Sequence, residues 1–143
     1  MDIEESLRGG LDGWKYREPP ANPRALEELT ATSPVRLPDE YLALLRLSNG
    51  GGGELGVEPG WFQLWPAEEV LALNQDYGVP EFLPGFLGFG SNGGGELLAL
   101  DLRSGPPYAV VMVPFTPMDI DEAVTIADTF SNFLQALGRV CPD

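Results

Sequence analysis

The residues in this chain best equipped for chemistry are carboxylates. Asp119-x-Asp121-Glu122 puts three of them within four residues, a density that suits a hard cation such as Ca2+ or Mg2+. The turn glycine and further ligands of a calcium loop are missing, so a solvated loop or a partner-facing acidic edge competes with the metal reading. Asn92-Gly93-Gly94-Gly95-Glu96 offers a run of backbone N–H groups that could cradle an anion. It lacks the Gly-x-x-x-x-Gly-Lys pattern of a phosphate loop, and its own Glu96 would oppose phosphate. A hairpin connection is the competing reading. Glu68 and Glu69 fall in the first turn of an expected helix, where the helix dipole favours them without any binding role.

Enzymatic parts are scarce. The chain has no histidine and a single cysteine, Cys141, so Ser/His, Cys/His and the usual zinc sites lack their components, and no internal disulfide can form. A carboxylate pair could still perform acid–base work, as in glycoside hydrolysis. No spacing in the sequence sets two acids in such an arrangement. A non-catalytic protein without metal or cofactor is therefore expected.

The charge balance is extreme: 22 acids against 8 bases, a net charge of −14. Six of the eight bases lie between Arg8 and Arg46, and after Arg46 only Arg103 and Arg139 remain, against thirteen acids. Nucleic acid is a poor partner for such a surface, since phosphates must be neutralised by Lys and Arg. A basic patch on another protein is the natural complement. Met1-Asp2-Ile3-Glu4-Glu5 lacks the basic and apolar regions of a secretory signal, and no apolar run approaches the roughly 18–20 residues that span a bilayer. A cytoplasmic protein with no membrane contact is expected; monomer or dimer stays open.

A length of 143 residues fits one domain. Residues 1–23 read as weakly organised: a short helix over Ile3–Arg8, then Pro19, Pro20 and Pro23 interrupting regular structure. Helices are expected over Arg24–Thr30, from Pro38-Asp39-Glu40 to Ser48, from Pro66 to Tyr77, and over Thr129–Leu137. Strands are expected at Trp61–Trp65, Phe86–Phe89, Glu96–Leu102, Tyr108–Phe115 and Val124–Ala127, with Thr116–Glu122 an acidic loop. Trp61, Phe62 and Trp65 supply either core or rigid interface area, and Tyr77 with Asp76 and Glu81 reads as the rim of a binding face. Ser48-Asn49-Gly50-Gly51-Gly52-Gly53-Glu54-Leu55 and Ser91-Asn92-Gly93-Gly94-Gly95-Glu96-Leu97 nearly repeat each other. The first should close a helix, as a C-cap and flexible loop, and the second should open a hairpin; each delivers an acid. This order implies an α+β domain: a mainly antiparallel sheet of about four to six strands with helices packed on one side.

Ordered landmarks carry a resemblance. They run from Leu37-Pro38-x-x-Tyr41 to Asn49-Gly50-Gly51, then Trp65 with Glu68-Glu69, then Phe89 through Glu96 to Leu100-Asp101. Val111-Met112-Val113-Pro114-Phe115 and Ile126-Ala127-Asp128-Thr129-Phe130-x-x-Phe133-Leu134 complete them. The chain resembles the SUKH superfamily, and within it the domain shared by the fungal Smi/Knr cell-wall regulators and many bacterial proteins. The resemblance covers roughly residues 24–137 and places a SUKH-like domain at 24–143. It implies a compact α+β fold and, in bacteria, an immunity protein that binds and neutralises a polymorphic toxin, often a nuclease, by occlusion. By analogy with the fungal members, a regulatory scaffold with no toxin partner is the alternative; a carboxylate-dependent hydrolase is the third reading. Loop or element-edge acids are then the candidate contacts to a basic toxin domain: Glu54, Glu58, Asp76, Glu81, Asp119, Asp121 and Glu122.

Overall fold

The apolar run Leu97-Leu98-Ala99-Leu100 has both of its alternating side-chain rows fully buried, so it must lie in the middle of a sheet covered on both faces. The computed structural model describes residues 13–142, and the expected helix at Ile3–Arg8 lies outside them. Among the described residues seven strands form one antiparallel sheet: β1 (Trp14–Tyr16), β2 (Gly52–Glu54), β3 (Trp61–Leu64), β4 (Phe86–Ser91), β5 (Glu96–Asp101), β6 (Ala109–Pro114) and β7 (Val124–Ala127). Their spatial order is the order of the chain. Among the described residues α1 (Pro23–Thr32) and α2 (Asp39–Leu47) connect β1 to β2, α3 (Val70–Tyr77) and α4 (Val79–Phe82) connect β3 to β4, and α5 (Phe130–Ala136) follows β7. The α+β class is as expected; the sheet has seven strands rather than four to six.

Local chemistry accounts for the helices. Asn22 caps α1 by accepting from the Arg24 N–H, with Pro23 at the first helical position. Asp39 and Glu40 open α2 where the dipole favours them. The Thr129 hydroxyl caps α5 by accepting from the Asn132 N–H. The third helix begins at Val70 rather than Pro66, because Ala67–Glu69 form a turn first.

The core is aromatic on one face. Tyr41 of α2 meets Phe89 and Phe130 edge-on at 5.9 and 5.8 Å, and Phe89 meets Phe133 at 5.3 Å. A bulge between Gly88 and Gly90 turns Phe89 into this cluster, on the side of the sheet that carries Leu98. The opposite row, with Leu97, is covered by Trp65, whose ring Tyr77 of α3 stacks upon, and by Phe115 beyond it. Helices thus flank both faces, which corrects the one-sided packing expected.

The Tyr41 hydroxyl is fully buried and has no hydrogen-bond partner among the described residues. Burial alone pushes its pKa well above the usual tyrosine value. Tyr41→Phe removes an unpaired polar atom and keeps the ring, so we expect unchanged or higher stability, by up to about 1 kcal/mol, in urea unfolding. A loss of stability would show that the hydroxyl has a partner.

The N-terminal segment supplies a strand. Trp14–Tyr16 pairs with β2, Trp14 packs on Phe62 with ring centroids 4.8 Å apart, and both are buried. The weak organisation expected for residues 1–23 therefore does not extend over this part.

Candidate functional site

The two glycine runs do different work. Ser48 ends α2 in an extended conformation, and Gly50 and Gly51 turn the chain with φ of 111° and 92°. Gly52, Gly53 and Glu54 then form β2, paired on both sides, so this run is a turn and strand rather than the flexible loop expected. Ser48, fully buried, fastens the turn: its hydroxyl donates to the Gly50 carbonyl at 2.9 Å and accepts the Glu18 N–H at 2.9 Å. The second run does connect a hairpin. The Asn92 side-chain oxygen Oδ1 accepts from the N–H groups of Gly94 and Glu96, both at 3.0 Å.

A groove of about 590 Å3 opens beside the first turn, with Tyr16, Glu18, Asn49, Gly51, Gln63, Trp65, Glu68 and Glu69 among its lining residues. The fold thus gathers landmarks that lie apart in sequence: Asn49-Gly50-Gly51, Trp65 and Glu68-Glu69. Asn49 organises them. Its amide nitrogen donates to Glu68 at 2.9 Å while its oxygen accepts the Ala67 N–H at 2.8 Å. The bond from Asn49 holds the Glu68 carboxyl below the usual glutamate range, with a bond to its own backbone N–H assisting and slight burial opposing. The groove lining contains three carboxylates and no base.

The depressed pKa has a pH signature. A carboxylate held low in the fold contributes stability above its unfolded pKa and loses it as pH falls through the folded value. Asn49→Ala should therefore raise the Glu68 pKa towards the ordinary glutamate value, read by NMR titration of its side-chain carbon. An unmoved titration would mean that Asn49 does not set it.

Trp65 continues the site beyond the groove. Tyr77 stacks on it at 5.9 Å and 17°, and Phe115 meets Tyr77 at 4.5 Å. This contact sets the end of α3 against the end of β6. Asp76 and Glu81 lie on the α3–α4 segment, and Asp119, Asp121 and Glu122 on the turn after Phe115; all five are exposed. Glu54 and Glu58 sit elsewhere, at the end of β2 and in the turn before β3. Asp119 spends its carboxylate on a cap, accepting the Asp121 N–H at 2.9 Å. Among the described residues no group of three or more His, Cys, Asp or Glu side chains is placed to hold a metal ion. Trp65 and Phe62 are buried, and Trp61 partly so, which puts these aromatics mainly in the core.

Glu18, Tyr16 and Gln63 were not anticipated. The pairing of β1 with β2, the Ser48 bond across 30 residues and the Asn49 N–H bond to the Pro19 carbonyl bring Glu18 to the groove.

Over residues 20–136 the sequence matches the family described as SMI1 / KNR4 family (SUKH-1), which is most of the chain. The protein belongs to the SMI1/KNR4 family. Comparison with curated proteins gave no match. For this SMI1/KNR4 domain, no helix among the described residues is long and apolar enough to cross a membrane.

Proposed function

We propose that the protein is a cytosolic immunity protein that binds a cognate polymorphic toxin and neutralises it by covering a basic site, without catalysis of its own. The observation that carries this reading is the one-signed charge of two long segments. No Lys or Arg occurs between Leu47 and Leu102, or between Ser104 and Gly138, so the segments 47–102 and 104–138 supply carboxylates alone. Family membership supports a protein-binding role, and the acidic groove with its continuation past Trp65 suits a basic partner. Complementary fields of this kind raise the association rate and set register more than they raise affinity.

The test is co-expression with the product of the adjacent gene, scoring growth and co-purification. Rescue from toxicity with a stable complex supports immunity. Absence of both favours a regulatory scaffold of the fungal type and calls for capture of endogenous partners. Given a complex, charge reversal by Glu68→Lys with Glu69→Lys should slow association about tenfold at low salt, with the difference shrinking as salt is added. An unchanged rate would remove the electrostatic part of the reading.

A further inference from the structure

The aromatic stack beside the groove is partly uncovered. Tyr77 is 44 % exposed although it contacts both Trp65 and Phe115. Phe82 is 52 % exposed, and its ring lies over Gly78, the residue after Tyr77. Two large aromatic rings left in solvent on consecutive short helices need a reason. Scattered apolar residues on a surface are ordinary, but Tyr77 is held by its stack and Phe82 lies over the residue next to it, so the two rings make a ledge.

Charge says what the ledge can take. The segment from Trp65 to Phe82 carries Glu68, Glu69, Asp76 and Glu81, and the turn after Phe115 carries Asp119, Asp121 and Glu122. Neither segment contains a base. Arg103, the nearby cation in sequence after β5, is already committed: it pairs with Asp101 at 2.9 Å and lies over the Phe86 ring at 4.8 Å. An apolar partner surface would leave the surrounding carboxylates facing nothing. A lysine would satisfy the charge and gain little from the rings, because an ammonium is strongly hydrated. Arginine meets both demands, since its guanidinium is weakly hydrated, stacks on aromatic faces and bonds carboxylates in a fork.

We propose that the Tyr77–Phe82 ledge is an arginine-recognition surface, on which a guanidinium from a basic protein partner stacks while the flanking carboxylates receive its N–H groups. This deepens the partner-binding reading and rests on it for biological meaning, but the recognition chemistry can be tested separately. Aromatic–arginine anchors of this type concentrate binding energy at interfaces.

The full-length protein, labelled for aromatic NMR, is titrated with tetra-arginine and tetra-lysine peptides of equal charge. The arginine peptide should bind several-fold more tightly and shift the Tyr77, Phe82 and Phe115 rings. Tyr77→Leu with Phe82→Leu, which keeps apolar volume and is checked for folding by circular dichroism, should abolish that preference and leave weak lysine binding unchanged. Equal affinity for the two peptides, ring shifts absent from the ledge, or a preference that survives the double substitution would each overturn the proposal. So would concentration-dependent self-association through these rings, which would assign the ledge to a second copy. The wider reading fails on different data: no rescue in co-expression, with arginine preference intact, sinks immunity alone. Rescue and complex stability unaffected by the double substitution sink the ledge alone.

Discussion

Asn74→Leu is expected to remove about 3–5 kcal/mol of stability, a large share of the roughly 5–15 kcal/mol that holds a domain together. Asn74 is only 3 % exposed and serves as a side-chain replacement for a missing strand. β3 ends at Leu64, opposite Gly90, so the β4 backbone at Gly88 has no neighbour on that side. The Asn74 oxygen accepts the Gly88 N–H at 2.8 Å, and its amide donates to the Gly88 carbonyl at 2.9 Å and to the Val70 carbonyl at 2.7 Å. Leucine has similar size but leaves two backbone groups of Gly88 unpaired in the interior, at about 1–3 kcal/mol each. Equilibrium urea unfolding measures the loss, and amide exchange should show Gly88 opening first. A change under about 1 kcal/mol would mean that water reaches this edge.

The second large effect is expected for Gly53→Ala. A Cβ there would lie 2.5 Å from the Gly13 carbonyl oxygen, 2.6 Å from the Trp14 Cα and 2.9 Å from the Lys15 nitrogen. All three are backbone atoms of the paired first strand or of the residue just before it, which cannot turn aside as a side-chain tip can. Overpacking of this kind costs about 1–3 kcal/mol, and we expect the upper end, with β1 lifting from β2 and Trp14 leaving Phe62. Tryptophan emission should shift to the red, and β1 amides should exchange faster. Gly95→Ala is the control: nothing lies within 4 Å of its Cβ, so its stability should change by less than about 1 kcal/mol. Equal effects at the two positions would contradict the close approach of β1.

The contrast between those two glycines also shows what could be read from the chain. Elements with their own signal were legible. Val110-Val111 and Leu97–Leu100 announce central strands by composition, and Asp39-Glu40 or Thr129 announce helix starts by chemistry. β1 and β2 carry no such signal. Gly52 and Gly53 have poor strand propensity, and they form a strand because two neighbours press so close that no side chain fits. The Phe89 bulge and the Asn74 clamp are likewise products of contacts between distant segments. Of the site, Asn49 and Glu68-Glu69 were visible as motif residues, but their hydrogen bond was not. In sequence the acids Asp76, Glu81, Asp119, Asp121 and Glu122 lie on separate loop edges. The Tyr77–Phe115 contact joins the segments that carry them, while Glu54 and Glu58 stay apart.

In a sheet whose strands lie side by side in chain order, position along the sequence becomes position across the molecule. Lys15 and Arg17 sit at or just beyond the β1 edge, whereas Asp119, Asp121, Glu122 and Asp128 bracket β7 at the other. The β7 edge thereby presents carboxylates alone, while the β1 edge mixes Lys15 and Arg17 with Glu18. This uneven negative field draws a basic partner in before the surfaces touch.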